Sequence, residues 1–251
     1  EFLLRCSDVT GRLPHGVWIQ QDVFHLTRQG YDASVVTPAM DTDLVVYDMD
    51  GTLADTSPGI ISSFMYTAQA LEVPEPSIET LYMNMGGSLI DNMARIYGVD
   101  HDSAIEAARI YREHYGREGY LQAKLFPGME ESLREIRRRG ISLGVATMKL
   151  DEYAKKLVEH WGIADLFDDV CGADCFGVLS KSDLIDRCIY ASGAEPSRTL
   201  MVGDSTNDLI GARDSGTRFV AVTFGYGFTP EICRSNGIDY VETPGAVLEF
   251  L

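Results

Sequence analysis

Hydrophobic and polar positions change period along the chain, and those changes mark out its elements. Leu44, Val45, Val46 and Tyr47 form an apolar run without polar alternation, which predicts a central parallel strand buried on both faces. Thr56-Ser57-Pro58 follows and supplies a capping residue and a proline for a first helical turn. From there to about residue 122 the pattern is almost wholly helical, broken by Pro74 and Pro76 and by Gly86-Gly87; Ala104, Ala107, Ala108, Tyr111 and Tyr115 recur at helical spacing. After Phe126-Pro127-Gly128 helices alternate with short apolar strands. Met129, Leu133 and Ile136 make one helix face, closed by Arg137-Arg138-Arg139 and Gly140, a basic run that suits a helix C-terminus better than a nucleic-acid patch. Strands are predicted at Ile141 to Ala146, ending at Thr147, at Asp169 to Cys171, at Thr199 to Val202 and at Phe219 to Val222. Intervening helices carry Ala154, Leu157, Val158 and Trp161, then Leu184, Ile185 and Cys188 after Lys181, then Leu209, Ile210 and Ala212.

Strands alternating with helices imply an α/β protein with a doubly wound parallel sheet. The expected organisation is a core of residues 41–55 and 124–251, interrupted by an all-helical insert over 56–123 that leaves directly after the first strand, above the crevice at the strand ends. Residues 1–40 show no sustained period and are read either as a leader before a native start at Met40 or as an added structural or interaction segment; His15 and His25 have no ligand spacing and are assigned no function.

Charge narrows the possible partners. The formal net charge of −17, from 21 basic against 38 acidic residues, excludes a protein that lives on a nucleic acid polymer or an anionic membrane, because little is available to neutralise phosphates in bulk. Cation-assisted binding of a small phosphate remains compatible with it. The five cysteines, Cys6, Cys171, Cys175, Cys188 and Cys233, form no metal-like pairs, and no secretory signal is evident; reduced thiols in a cytoplasm are expected, with Cys171 and Cys175 as packing residues.

Candidate chemistry sits at the end of the first strand. Asp48 and Asp50 lie two apart, so strand periodicity lets both address one substrate at the carboxyl end of the sheet. Gly51 permits a sharp turn, and Gly51 and Thr52 are expected to offer backbone N–H groups to an anion. Further along, Thr147 stands at a strand end, Lys181 at a helix start, and Gly203-Asp204-Ser-Thr-Asn-Asp208 follows another strand.

In order and spacing these features resemble the four motifs of the haloacid dehalogenase (HAD) superfamily. Phe126-Pro-Gly-Met129 and Thr223-Phe-Gly-Tyr-Gly227 are similar to the phosphoglycolate phosphatase-like group, which has a helical cap after motif one. The resemblance covers about residues 41–251. It implies a Rossmann-like core with a helical cap domain, and a Mg²⁺-dependent phosphatase that hydrolyses a small phosphomonoester through an aspartyl-phosphate. In that scheme Asp48 is the nucleophile and Asp50 the acid–base group; Asp48, the backbone carbonyl of Asp50 and Asp204 hold the metal. Gly51, Thr52, Thr147, Met148 and Lys181 meet the phosphate, and Asp208 orients Lys181 or the metal's waters.

The chain departs from many relatives at Met148, where they carry Asn, and Lys149 is a reserve candidate for the cationic role. No lysine precedes Lys124, which excludes a phosphonate-cleaving member that would form a Schiff base from a cap lysine. A sugar phosphomutase similar to β-phosphoglucomutase, and a 5'-nucleotidase or pyrophosphatase of the same fold, remain as alternatives; a non-catalytic binding protein stands last. Arg95, Arg109, Arg112 and Arg117 are candidates to meet a substrate anion or to face solvent, and Gly86-Gly87-Ser88 is read equally as a substrate loop or a plain turn.

Overall fold

In the computed structural model, residues 41–85, 88–174 and 178–251 are described. The expectations for 1–40, for His15 and His25, for Gly86-Gly87 and for Cys175 fall outside these residues. The apolar run forms strand β1 (Leu44–Tyr47), all four residues of which are buried. It is flanked by β4 (Ser142–Leu150) and β6 (Thr199–Gly203), each parallel to it. With β5 (Asp169–Ala173), β7 (Arg218–Val222) and β8 (Tyr240–Val241), they form a six-stranded sheet in the order β5-β4-β1-β6-β7-β8, in which every pairing is parallel.

Alternation along β1 explains the two cores. Val45 and Tyr47 join a cluster with Leu143, Val145, Leu200 and Val202, covered by α5 (Met129–Arg138) and α6 (Asp151–His160) through Leu133, Ile136, Leu157 and Val158. Leu44 and Val46 join the opposite cluster with Ala146 and Met201, covered by Leu184 and Ile185 of α7 (Lys181–Ser192), Ala212 of α8 (Thr206–Asp214) and Ile232 of α9 (Pro230–Asn236). This is the doubly wound arrangement, with helices on both faces.

Between β2 (Ala54–Asp55) and β3 (Lys124–Leu125), an antiparallel pair, the chain is helical: α1 (Ser57–Ala70), α2 (Ile78–Met83), α3 (Leu89–Tyr97) and α4 (His101–His114). A π-helical turn over Tyr115–Gly119 and a 3₁₀ turn over Tyr120–Gln122 complete it. These helices bury a cluster of their own, built on Phe64, Leu81, Met93, Ala104, Ala107, Ala108 and Tyr111.

Two local expectations need correction, and three short strands lie outside any expectation. β4 does not end at Thr147 but runs on to Leu150, with a register irregularity between those residues. Thr56 makes no side-chain cap to α1; instead the Tyr226 hydroxyl accepts the Thr56 N–H at 2.8 Å and the Ser57 N–H at 3.0 Å. Lastly, β2, β3 and β8 are strands of two residues each, too short for a hydrophobic period to announce. The arginine run behaves as its composition suggests: Arg138 and Arg139 pair with Glu135, Arg137 with Asp168, and Gly140 takes the left-handed conformation beyond the helix end, φ +80°.

Candidate active site

The carboxyl ends of β1, β4 and β6 lie side by side, and each strand carries a polar residue at or near that end. Asp48 follows β1, Thr147 lies in β4 and Asp204 follows β6, all three buried. The Asp48 N–H donates to the Val202 carbonyl at 2.9 Å, which ties the loop after β1 to the neighbouring strand.

Lys181 reaches this point from the first turn of α7, which is fixed by a capping box between Ser180 and Asp183. Its side chain is 3% exposed, and its ammonium lies 2.7 Å from Asp48 Oδ1 and 2.8 Å from Asp208 Oδ1. It also donates to the Ala146 carbonyl at 2.9 Å. Asp208 sits in the first turn of α8, where its Oδ2 accepts from Ser205 Oγ at 2.6 Å and Ser205 N at 3.0 Å. The contact of Lys181 with Asp208 is an ion pair without aligned hydrogen-bond geometry. Asp208 is thus occupied in holding Lys181 and capping α8. Asp204 Oδ2 accepts the Tyr226 N–H at 2.6 Å.

Asp48, Asp204 and Asp208 each bring a carboxylate oxygen within 4.8 Å of the others. Lys181 is the cation that contacts two of them, so the cluster carries surplus negative charge. The consequence is electrostatic: burial pushes the Asp48 carboxyl up to about 7, with Asp208 and Asp50 adding to the shift and Lys181 opposing it. Burial likewise raises Asp204, with Asp208 and Asp48 adding to it. Hard oxygen donors with uncompensated charge fit a small divalent cation such as Mg²⁺. Asp48 and Asp204 have the donor character to hold it.

Asp50 stands apart from this trio. Its side chain is 25% exposed and its Oδ1 lies 3.0 Å from Lys149 Nζ, a contact that is again an ion pair rather than an aligned hydrogen bond. The Lys149 side chain is 7% exposed and donates to the Tyr115 hydroxyl at 2.7 Å, with its ammonium 4.6 Å from the centre of the Tyr115 ring. Burial alone would lower the Lys149 ammonium; the Asp50 carboxylate and the Tyr115 and Tyr111 hydroxyls outweigh it and hold the lysine charged.

The turn after β1 spends its donors on itself. Gly51 N donates to the Ala54 carbonyl and Thr52 N to that of Met49, so the N–H groups expected to meet an anion close the turn instead. The Thr52 hydroxyl is buried without a partner among the described residues. Gly51 is required here: its φ is +79°, and a Cβ would stand 2.2 Å from Asp204 Oδ2. Thr147 Oγ1 accepts the Lys149 N–H at 3.1 Å, and Met148 packs against the cluster beneath α7.

Composition and motif spacing do not single out Tyr226 or Tyr115. Tyr226 bonds Asp204 through its N–H and the start of α1 through its hydroxyl, which also donates to Asp55 Oδ1 at 2.9 Å. Its place in the Phe-Gly-Tyr-Gly stretch is the one signal the sequence carries for it. Of the arginines considered, Arg109 pairs with Glu106 and Glu113 and Arg117 with Glu113 at the surface; Arg95 donates to Asn84 Oδ1. The Arg112 Nε is buried without a partner among the described residues.

A sequence profile of the haloacid dehalogenase-like hydrolases matches residues 45–222. The chain belongs to that family. It is 34% identical over 208 residues to the tyrosine-protein kinase PtkA of Mycobacterium tuberculosis, covering 82% of this chain and 69% of the relative. It is 31% identical over 208 residues to a 5'-nucleotidase of Pseudomonas aeruginosa, covering 82% and 94%. Among solved structures, a haloacid dehalogenase-like hydrolase from Streptococcus pneumoniae superposes with a TM-score of 0.76 at 30% identity, over 84% of this chain and 98% of that one. Relatives named phosphoglycolate phosphatase and pyrophosphatase match at 28% identity. The chain is therefore a hydrolase of a family whose phosphatase-named members share its sheet.

Proposed function

We propose that this HAD hydrolase is a Mg²⁺-dependent phosphatase acting on a small, phosphoglycolate-like phosphomonoester through an aspartyl-phosphate. The observation that carries the reading is the buried Asp48 carboxylate held 2.7 Å from Lys181 at the end of the central strand, with Asp204 beside it. Asp48, Asp204 and the Asp50 backbone carbonyl would hold Mg²⁺, which would supply the charge neutralisation that lets an anionic nucleophile approach an anionic phosphate. One Asp48 oxygen attacks phosphorus while the bond to the leaving oxygen breaks, and Asp50 gives that oxygen its proton. In the second step Asp50 takes a proton from water as the water oxygen attacks phosphorus, releasing inorganic phosphate and restoring Asp48. Thr147, through its hydroxyl, and Met148, through its backbone, orient the phosphoryl group, and Lys181 offsets charge that develops on it. Asp208 keeps Lys181 aimed at Asp48.

In this reading residues 41–55 and 124–251 are the catalytic core and 56–123 the cap domain that selects the substrate and excludes water. The protein works on a small metabolite in a reducing cytoplasm, which agrees with the free, buried Cys171, Cys188 and Cys233. Among the described residues no helix is long and apolar enough to cross a membrane.

The test is phosphate release from para-nitrophenyl phosphate and from a panel of phosphoglycolate, a nucleoside monophosphate, a sugar phosphate and pyrophosphate, with Mg²⁺ and with chelator. Asp48→Asn is expected to abolish turnover and leave the thermal midpoint no lower than that of the parent. Retained activity removes Asp48 as nucleophile. A requirement for a sugar bisphosphate would turn the reading towards a mutase, and phosphate appearing on tyrosine rather than in solution would turn it towards the activity in the mycobacterial relative's name.

A further inference from the structure

We propose that Tyr115, a residue of the helical insert, is a positioning residue for the acid–base carboxylate of Asp50 and acts through Lys149. The inference rests on the reading of Asp50 given above and adds the device that holds it in place.

Asp50 Oδ1 is buried, and its one polar contact among the described residues is Lys149 Nζ at 3.0 Å, without hydrogen-bond alignment. Such a contact constrains a carboxylate only as well as the ammonium is itself constrained. Lysine is poorly suited to that task, since its flexible stem carries about 2 kcal/mol of rotamer entropy. Tyr115 supplies the missing restraint. Its hydroxyl accepts from Lys149 Nζ at 2.7 Å, which leaves that nitrogen 4.6 Å from the ring centre, so the placement of the ring sets the placement of the ammonium.

Tyr115 is in turn held with little freedom. Its ring stacks on Tyr111 with centroids 5.7 Å apart and meets Tyr153 edge-on at 5.4 Å. The π-helical turn that carries it lies against α1 at a contact only glycine allows: a Cβ on Gly59 would stand 1.9 Å from the Gly119 carbonyl oxygen, and one on Gly119 would stand 2.8 Å from the Tyr115 ring. A Cβ on Gly116 would stand 2.5 Å from the Tyr153 hydroxyl. Glycines therefore set the height of the turn, the turn sets Tyr115, and Tyr115 sets Lys149 against Asp50. The insert completes a group of the core.

A misplaced proton donor matters most when the leaving group needs a proton. Phenyl phosphate and para-nitrophenyl phosphate have closely similar shapes, but the nitrophenolate departs readily without a proton and the phenolate does not. The value of kcat/KM reports the steps up to formation of the aspartyl-phosphate, before the shared hydrolysis. Tyr115→Phe keeps the ring stack and removes the hydroxyl; it is expected to lower kcat/KM on phenyl phosphate about tenfold and on para-nitrophenyl phosphate by no more than about twofold. Lys149→Met should show the same contrast, enlarged. Equal losses on the two substrates, or no loss on phenyl phosphate, would overturn the proposal. Asp50→Asn is the control: if it lacks the contrast, the acid–base reading of Asp50 fails, whereas if it shows the contrast and Tyr115→Phe does not, the positioning role alone fails. Unchanged thermal midpoints of the Phe and Met variants exclude a simple loss of fold.

Discussion

At the scale of single residues, the site is a problem in burying charge. Lys181 stands between Asp48 and Asp208 at 2.7 and 2.8 Å with nearly all of its side chain out of solvent. Burial would lower its ammonium, but Asp208 and Asp48 more than reverse this and hold it charged. Removing the lysine leaves Asp48 and Asp208 buried without a compensating charge, which costs about 3–5 kcal/mol. Lys181→Met is therefore expected to lose that much stability in urea unfolding followed by circular dichroism. A loss below about 1 kcal/mol, the range of an exposed pair, would show that the lysine is not needed to hold the aspartates in the fold. The same variant should lose turnover, so stability and activity depend on one side chain.

At the scale of elements, the feature with the largest consequence is the meeting of α1 with the π-helical turn. A methyl carbon on Gly59 would stand only 1.9 Å from the Gly119 carbonyl oxygen. Gly59→Ala must therefore push the two segments apart, and overpacking of this kind costs about 1–3 kcal/mol. The loss should appear as faster hydrogen exchange in α1 and in Tyr115–Gly119, with β1 and β6 unaffected; uniform acceleration across the sheet would mean that the insert and the sheet unfold together. This contact also shows where sequence patterns run out. The buried strand at Leu44–Tyr47 and the helix faces of Met129-Leu133-Ile136 and Leu184-Ile185-Cys188 are legible in the sequence, because period and burial are local properties of a pattern. The π-helical turn is not, since its signal is two glycines whose purpose lies in residues far away along the chain. Asp48, Asp50, Thr147, Lys181, Asp204 and Asp208 can be nominated from motif order. Yet the self-bonded N–H groups of Gly51 and Thr52 and the capping of α1 by Tyr226 depend on three-dimensional neighbours, and no spacing rule carries those. Lys149 lies between the two cases: its position beside Thr147 marks it, but only the fold shows that it faces Asp50 and the insert.

At the scale of the whole molecule, two negative fields overlap, and a single experiment separates them. The chain carries a net charge of −17, so any salt relieves self-repulsion and raises stability slightly. The cluster of Asp48, Asp204 and Asp208 is a local excess on top of that, and a divalent cation seated there stabilises the folded state by mass action, about 2.7 kcal/mol at a hundredfold excess over its dissociation constant. The two effects differ in what they require. Screening depends on ionic strength and is indifferent to any one carboxylate, whereas site binding saturates and needs Asp204. The thermal midpoint is therefore expected to rise with Mg²⁺ well beyond its rise in NaCl of equal ionic strength, and to level off. Asp204→Asn should keep the NaCl response and lose the excess produced by Mg²⁺. If the variant keeps that excess, the cation is bound elsewhere on the acidic surface, and the carboxylates around Lys181 are not its site.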